Sequence, residues 1–263
     1  MTEICIEIVT NYDTRLSCLL ESLRKQTFQD YEIVISASDH SVKDIVLDFD
    51  AKLIVNENTE TLYRRIVAHD ISSSKKSLLL ESSRFLGKNA LENLAEVTGD
   101  LGVIEERDVG NNIISKIQNI ERIGDLLDHN NINPSFLVAE PRYFSSDILG
   151  KAMVQIRKIP SEILTRIQWG DLDIIYSETY KISKSIEVID IPLIFHFSDD
   201  NLFNLVKKYY RYGVNSRYLR NTIYKDRFRA RNHYRPYLGA KNTLAVYSLL
   251  AVKAVSFAIG AYL

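Results

Sequence analysis

Residue types able to move a proton, grip a phosphate or hold a cation recur in this chain just after apolar runs. Asn11, Asp13 and Arg15 follow the β-branched run 4–9, Asp39 comes soon after the run 31–35, and Glu81 closes the run 77–80. Glu105, Glu106 and Arg107 end another such run, and His196 ends the stretch Pro192-Leu193-Ile194-Phe195. Arg65 lies within a helical pattern, and Asp171 and Asp173 follow Trp169 and Gly170. A carboxylate can take a proton from a hydroxyl or ligate a hard cation, and an arginine fork binds paired phosphate oxygens. Each type also has a plainer use. An aspartate ahead of a helix is commonly an N-cap, an arginine can close a surface salt bridge, and a histidine between phenylalanines can be a hydrogen-bonded core residue. The elements that carry these residues decide between the two uses.

Through residue 110, strand-like and helix-like patterns alternate. Strands are expected at 4–9, 31–35, 53–55, 77–80 and 101–105, with helices at 15–25, 42–49, 62–72 and 89–98. The helix at 15–25 sets Leu16, Leu19, Leu20 and Leu23 on one stripe. Such alternation argues for an α/β fold with a mostly parallel central sheet and helices on both faces. Ligands of such sheets sit at the carboxyl ends of the strands. Farther along, helices are expected at 113–127, 146–157, 172–180 and 201–219, and a short strand or turn at 141–144. The stretch 185–197 reads as extended, with Pro192 placing it near a sheet edge. Residues 220–241 are basic, aromatic and irregular, and 243–263 form an apolar helix.

That last segment has 21 residues, enough to cross a bilayer. Lys253 stands near its middle, at a cost of about 2.5–3.5 kcal/mol on insertion scales. Lys253, Ser256 and Gly260 fall on one narrow helical stripe. The pattern favours a helix lying in the membrane interface or packed on the domain over a single span.

Composition sets outer limits. With 46% hydrophobic and 25% charged residues, the chain is an ordinary folded protein. Its two cysteines, Cys5 and Cys18, read as reduced thiols of a cytoplasmic protein, and the opening residues show no basic segment followed by an apolar one. Net charge of −1 conceals an asymmetry: from Lys207 onward twelve Lys/Arg face Asp226 alone, +11, while residues 1–206 carry 21 Lys/Arg against 33 Asp/Glu, −12. A basic tail bearing seven tyrosines between residues 207 and 241 suits an anionic membrane surface. The acidic body and the lack of any nucleic-acid motif argue against nucleic acid as the partner.

The opening Ile4-Cys5-Ile6-Glu7-Ile8-Val9-Thr10-Asn11-Tyr12-Asp13 and the following Glu21-Ser22-Leu23-Arg24-Lys25-Gln26-Thr27, then Tyr31-Glu32-Ile33-Val34-Ile35, resemble the first strand, turn, helix and second strand of family 2 glycosyltransferases. Trp169-Gly170-Asp171-Leu172-Asp173 is similar to that family's Glu-Asp-x-Asp-Leu segment. Lys208-Tyr209-Tyr210-Arg211-Tyr212-Gly213 is similar to a helix of its membrane-associated members. The resemblance runs in order over roughly residues 1–215 and implies a GT-A fold. It implies a GT-A domain at 1–200, with a nucleotide-sugar half at 1–110 and an acceptor half at 111–200. A basic, Tyr-rich extension at 201–263 follows, ending in the apolar helix.

In function, the resemblance implies transfer of a sugar from a UDP- or GDP-linked donor to a lipid-linked or glycan acceptor. The protein would be cytoplasmic and held peripherally on the membrane by its tail. Thr10, Asn11, Tyr12, Arg15, Asp39, Arg65, Glu81 and Ser82 fall at donor positions, and Asp171 at that of the general base in inverting members. Arg142, Tyr143, Trp169, Tyr209, Arg211 and Tyr212 fall on the acceptor and membrane side. Glu81, Ser83 and His196 fall where the family holds a divalent cation, Mg²⁺ or Mn²⁺. Ala37, Ser83 and Gly170 stand where the family has acidic residues, which keeps open an alternative: a relative that binds a nucleotide-sugar or a partner without turnover. A nucleotidyltransferase would need a Gly-rich phosphate loop after the first strand, and 10–15 contain no glycine.

Overall fold

The computed structural model describes residues 2–11, 13–126, 134, 140–198, 201–225 and 238–263, so Tyr12 and the basic stretch 226–237 lie outside the described residues. The sheet is built on β1 (Ile4–Thr10), whose seven residues are all buried. It pairs in parallel with β2 (Tyr31–Ala37) and β4 (Lys76–Glu81), and β2 with β3 (Lys52–Val55). Beyond β4 come the short β7 (Tyr143–Ser145), then β6 (Leu101–Asp108), β8 (Ile186–His196) and β5 (Arg84–Leu86), in the order β3-β2-β1-β4-β7-β6-β8-β5. Only β7 and β5 run against their neighbours. The mostly parallel sheet expected from the alternation of patterns is therefore present.

Strand alternation distributes the core over both faces. Ile4, Ile6 and Ile8 of β1 and Leu78 and Leu80 of β4 pack with Leu16, Leu19, Leu20 and Leu23 of α1 (Leu16–Arg24), together with Val46 of α2 (Lys43–Val46). On the opposite face Cys5 and Val34 meet Ala68 of α3 (Thr61–Ile71). Leu91 and Leu94 of α4 (Ala90–Ala95) extend the first core. The second core joins Leu62, Ile66 and Leu79 to residues of α6 (Ser146–Ile156), α7 (Ser161–Leu164) and α8 (Asp171–Ile182). Each fully buried Leu or Ile contributes about 1.5–3 kcal/mol relative to exposure.

The strongest motif in the sequence turns out to be a fastener. Gln26, 4% exposed, donates from Nε2 to the carbonyls of Ser22 (2.9 Å) and Gly87 (2.8 Å), and its Oε1 accepts from the Leu91 amide at 3.0 Å. Ser22 Oγ accepts from the Leu86 amide at 3.0 Å. The two side chains tie the end of α1 to β5 and α4, supplying partners for backbone groups that have no ladder to join.

Several elements differ from expectation. The helix expected at 42–49 is a 3₁₀ turn (His40–Val42) leading into the single turn of α2. β5 and α7 were not foreseen, being too short to show a period. β8 lies one place in from the edge, but β5 covers only its last three residues, and Pro192 falls at a register shift opposite Glu105, where a missing N–H is tolerated.

After α5 (Ile113–Leu126), α9 (Leu202–Ser216) and α10 (Ala240–Tyr262) pack against each other. Gly213 and Gly260 allow backbone contact: a Cβ on either would stand 2.0 Å from a carbonyl oxygen of the other helix. The stripe Lys253, Ser256 and Gly260 is buried, as its spacing foretold, and Lys253 Nζ pairs with Glu121 of α5 at 2.6 Å. A basic 3₁₀ turn (Arg217–Asn221) follows α9, and Arg217 and Arg220 donate to the carbonyls of Gly260 and Ala261 at the end of α10. There the helix leaves carbonyls without internal partners, and cations are favourable.

Candidate active site

At the carboxyl ends of β1 and β4 opens a cavity of about 670 Å³. Its walls bring together most of the residues singled out from the sequence. Thr10, Asn11, Arg15, Glu81, Ser82, Ser83, Arg142, Trp169, Asp171, His196, Tyr209 and Tyr212 all line it. Arg65 lies beneath, with no exposed surface, and reaches two of the lining carboxylates. Asp39 instead caps the 3₁₀ turn after β2, accepting from the Ser41 amide at 2.7 Å, and those Ser41 bonds hold its carboxyl below the usual range. Tyr143, the first residue of β7, is 1% exposed and belongs to the core, while Arg142 just before it takes the cavity side. Arg211 is exposed and does not line the cavity.

The floor is an ion network. Arg65 Nε lies 2.5 Å from Asp171 Oδ2, and its Nη2 pairs with Glu81 Oε1. Arg84 Nη1 pairs with Glu81 Oε2, and Arg142 Nη1 stands 3.3 Å from the same oxygen. Glu106 accepts from Arg84, Arg142 and Arg122, and Asp108 from Arg122 at 3.0 Å. Burial, then the nearby guanidiniums of Arg122 and Arg65, push Arg84 down to about 9, which leaves it charged at neutral pH. One guanidinium, that of Arg65, thus fixes the end of β4 to the first residue of α8.

Asp171 owes its placement to its neighbours. Gly170 has φ +77°, a left-handed conformation that a side chain disfavours by roughly 1–2 kcal/mol. The glycine that replaces the family's glutamate is thus what this backbone demands. Ahead of it, Asn215 of α9 accepts from the amides of Gln168 and Trp169, both at 2.9 Å, and donates to Arg166 O at 2.6 Å. The tail helix holds the loop that presents Asp171. Trp169 also packs on Phe257 of α10, centroids 4.7 Å apart, and Tyr209 meets Tyr212 edge-on at 5.6 Å, forming an aromatic wall.

Glu140 also lines the cavity and shares a hydrogen bond with Asp173. Burial first, then the charges of Asp173 and Asp171, raise its carboxyl well above the ordinary range. Glu140, Arg122, Asp108 and Arg64 join the site with no sequence motif to mark them. Arg64 donates to Thr10 O at 2.6 Å, while its buried Nε has no partner among the described residues.

A divalent cation requires several oxygens free to ligate it. Both Glu81 oxygens are held by guanidiniums, and Ser83 offers a hydroxyl in place of a carboxylate. His196 Nδ1 lies 2.7 Å from Asp108 Oδ1, and burial followed by the charges of Arg84 and Arg122 keeps the ring neutral, well below its ordinary pKa. Among the described residues no three His, Cys, Asp or Glu come together in a way that could hold a metal. In this arrangement the donor set does not fit Mg²⁺ or Mn²⁺.

No family model and no curated protein matches the chain. Solved structures do. S. aureus TarS 1–349 is 15% identical with a TM-score of 0.55, over 97% of this chain and 81% of that one. Its complex with UDP-GlcNAc is 16% identical with a TM-score of 0.55, over 95% and 72%. The longer S. aureus TarS is 15% identical with a TM-score of 0.56, and this chain spans about half of its length (49%). At such identities the likeness is one of architecture alone, and together with the sheet order and its flanking helices it makes this a GT-A fold.

Proposed function

We propose that this protein is a glycosyltransferase resembling family 2, taking a sugar from a nucleotide diphosphate donor and delivering it to an acceptor at a membrane surface. The observation that carries the reading is the gathering of Thr10, Asn11, Asp13, Glu81, Ser82 and Asp171 around one cavity at the carboxyl ends of β1 and β4. Ligands of open α/β sheets bind at that place. The S. aureus TarS structures with UDP and with UDP-GlcNAc support a nucleotide-sugar as the donor class.

In the proposed reaction an acceptor hydroxyl attacks the anomeric carbon from the face opposite the diphosphate. The new C–O bond forms as the bond to the diphosphate breaks, and the nucleoside diphosphate leaves with the electron pair. Asp171 Oδ1 takes the hydroxyl proton, while Oδ2 stays on Arg65. The configuration inverts. Trp169, Tyr209 and Tyr212 supply flat surfaces on which a sugar acceptor can rest.

The tail supports a membrane-side acceptor. α10 is 23 residues long with a mean hydropathy of 1.8 in its most apolar window. Its polar stripe is turned inward, and Leu244, Val255, Ile259, Tyr262 and Leu263 remain exposed, as do Phe203 and Tyr210 of α9. A helix docked along one face and apolar on the other suits the interface rather than a span. The test of the function is transfer or hydrolysis of UDP- and GDP-sugars by purified protein with polyprenyl-phosphate or glycolipid acceptors in liposomes. Turnover of any donor supports it. Donor binding without turnover across these acceptors would replace it with the binding-only alternative.

A further inference from the structure

Three guanidiniums converge on a single carboxylate at the floor of the cavity, and the way each is anchored separates a fixed end from an exchangeable one. The stems are held from behind: Arg65 Nε by Asp171, and Arg84 Nε and Arg142 Nε by Glu106. The terminal nitrogens, Arg65 Nη2, Arg84 Nη1 and Arg142 Nη1, all meet Glu81. The arginine side chains are 0%, 8% and 9% exposed, whereas Glu81 is 25% exposed and borders the open cavity. Glu81 brings a single negative charge to three guanidinium ends. It has about four acceptor positions, whereas a diphosphate brings more oxygens and more charge to the same forks.

Resting on the nucleotide-sugar reading of this cavity, we propose that the three guanidinium ends are a metal-independent seat for the donor's diphosphate, and that Glu81 is the internal anion that fills it when the donor is absent. On donor entry Glu81 turns outward and the diphosphate oxygens take its place, with Asp171 and Glu106 keeping the arginines in position. When the sugar–phosphate bond breaks, the extra negative charge of the departing diphosphate falls on guanidiniums already oriented toward it, so no reorganisation is needed at that moment. Glu81 at the end of β4 is then a competitor of the donor rather than a ligand that helps to hold it.

That inversion of sign makes the proposal testable. Calorimetric titrations with pyrophosphate, UDP and GDP, each in EDTA and in Mn²⁺, would compare the wild type with Glu81→Gln and Arg84→Gln, thermal unfolding serving to confirm that each variant is folded. The expected result is binding in EDTA that Mn²⁺ does not strengthen. Glu81→Gln should tighten it by roughly tenfold, and Arg84→Gln should weaken it by at least as much. Nucleotide binding that needs Mn²⁺ and is lost in Glu81→Gln would overturn the proposal while leaving the donor reading intact. Pyrophosphate binding in EDTA that is tightened by Glu81→Gln, with neither nucleotide bound, would keep the anion seat and overturn the nucleotide reading. If folded protein bound none of the three probes, the seat itself would be disproved.

Discussion

The β1–α1–β2 unit and the cavity floor sit next to each other and are held together by opposite means. In the first, Ile4, Ile6, Ile8, Leu16, Leu19, Leu20 and Leu23 are wholly buried, and the polar side chains Ser22 and Gln26 serve backbone groups. In the second, Arg65, Arg84, Arg142, Glu106 and Asp171 are buried or nearly so and pair with one another and with the half-buried Glu81. Apolar packing is non-directional and tolerates small shifts. A buried ion network costs desolvation at every charge and repays it only in one geometry. The opening unit is therefore scaffold, and the floor is the part of the molecule built for a charged ligand.

Substitutions should break the two regions in different currencies. The largest effect is expected on the floor: Asp171→Asn should lower kcat by about 10²–10⁴-fold with folding and donor binding retained, measured by transfer at saturating donor. Retained turnover would remove Asp171 from the chemistry. In the scaffold, Leu20→Ala should cost about 2–5 kcal/mol in urea unfolding while kcat of the folded fraction is kept. Gln26→Ala removes the partner of the buried Leu91 amide and should cost about 1–3 kcal/mol by the same measurement. Gly170→Ala should cost about 1–2 kcal/mol from its left-handed backbone and, by displacing Asp171, should depress kcat as well. A stability loss with unchanged kcat would show that the loop does not govern the base.

The smallest effect is a pH dependence beneath β1. Burial is the largest influence on His69 and opposes its charge, but the 2.8 Å bond to Glu7, the Glu7 charge and the nearby Asp70 charge together outweigh it and raise the ring above its ordinary value of 6.5. A group raised on folding stabilises fully below its unfolded pKa and loses that contribution as pH climbs through the folded value. Unfolding free energy should therefore fall from pH 6 toward pH 8, and His69→Gln should flatten that slope. A wild-type slope of the opposite sign would contradict the pairing.

How far the sequence revealed each region follows from the same physics. The Leu16, Leu19, Leu20, Leu23 stripe, the alternating strands and the Lys253, Ser256, Gly260 stripe are local periodicities, and they appear in space as they read in the chain. The floor is assembled from β4, β5, β6, α3, α8 and the residue just before β7, so nothing in the neighbourhood of Glu81 announces Arg142 or Glu106. One signal was present. Arg65 lies three residues after Leu62 and one before Ile66, on the inward stripe of α3, and a charge on an inward stripe must have a buried partner. Gly170 looked like a loss until its left-handed φ gave it a reason, and Tyr143 looked functional until its burial placed it in the core. Gln26, the best part of the motif match, proved to be architectural.

The most direct test of the central claim is a crystal structure with UDP. Nucleotide density is expected inside the cavity, with the base beside Thr10 and Asn11 and the diphosphate between Ser82 and the guanidiniums of Arg65, Arg84 and Arg142. Density for UDP elsewhere on the surface, with this cavity closed by the Glu81 ion pairs at saturating ligand, would contradict it.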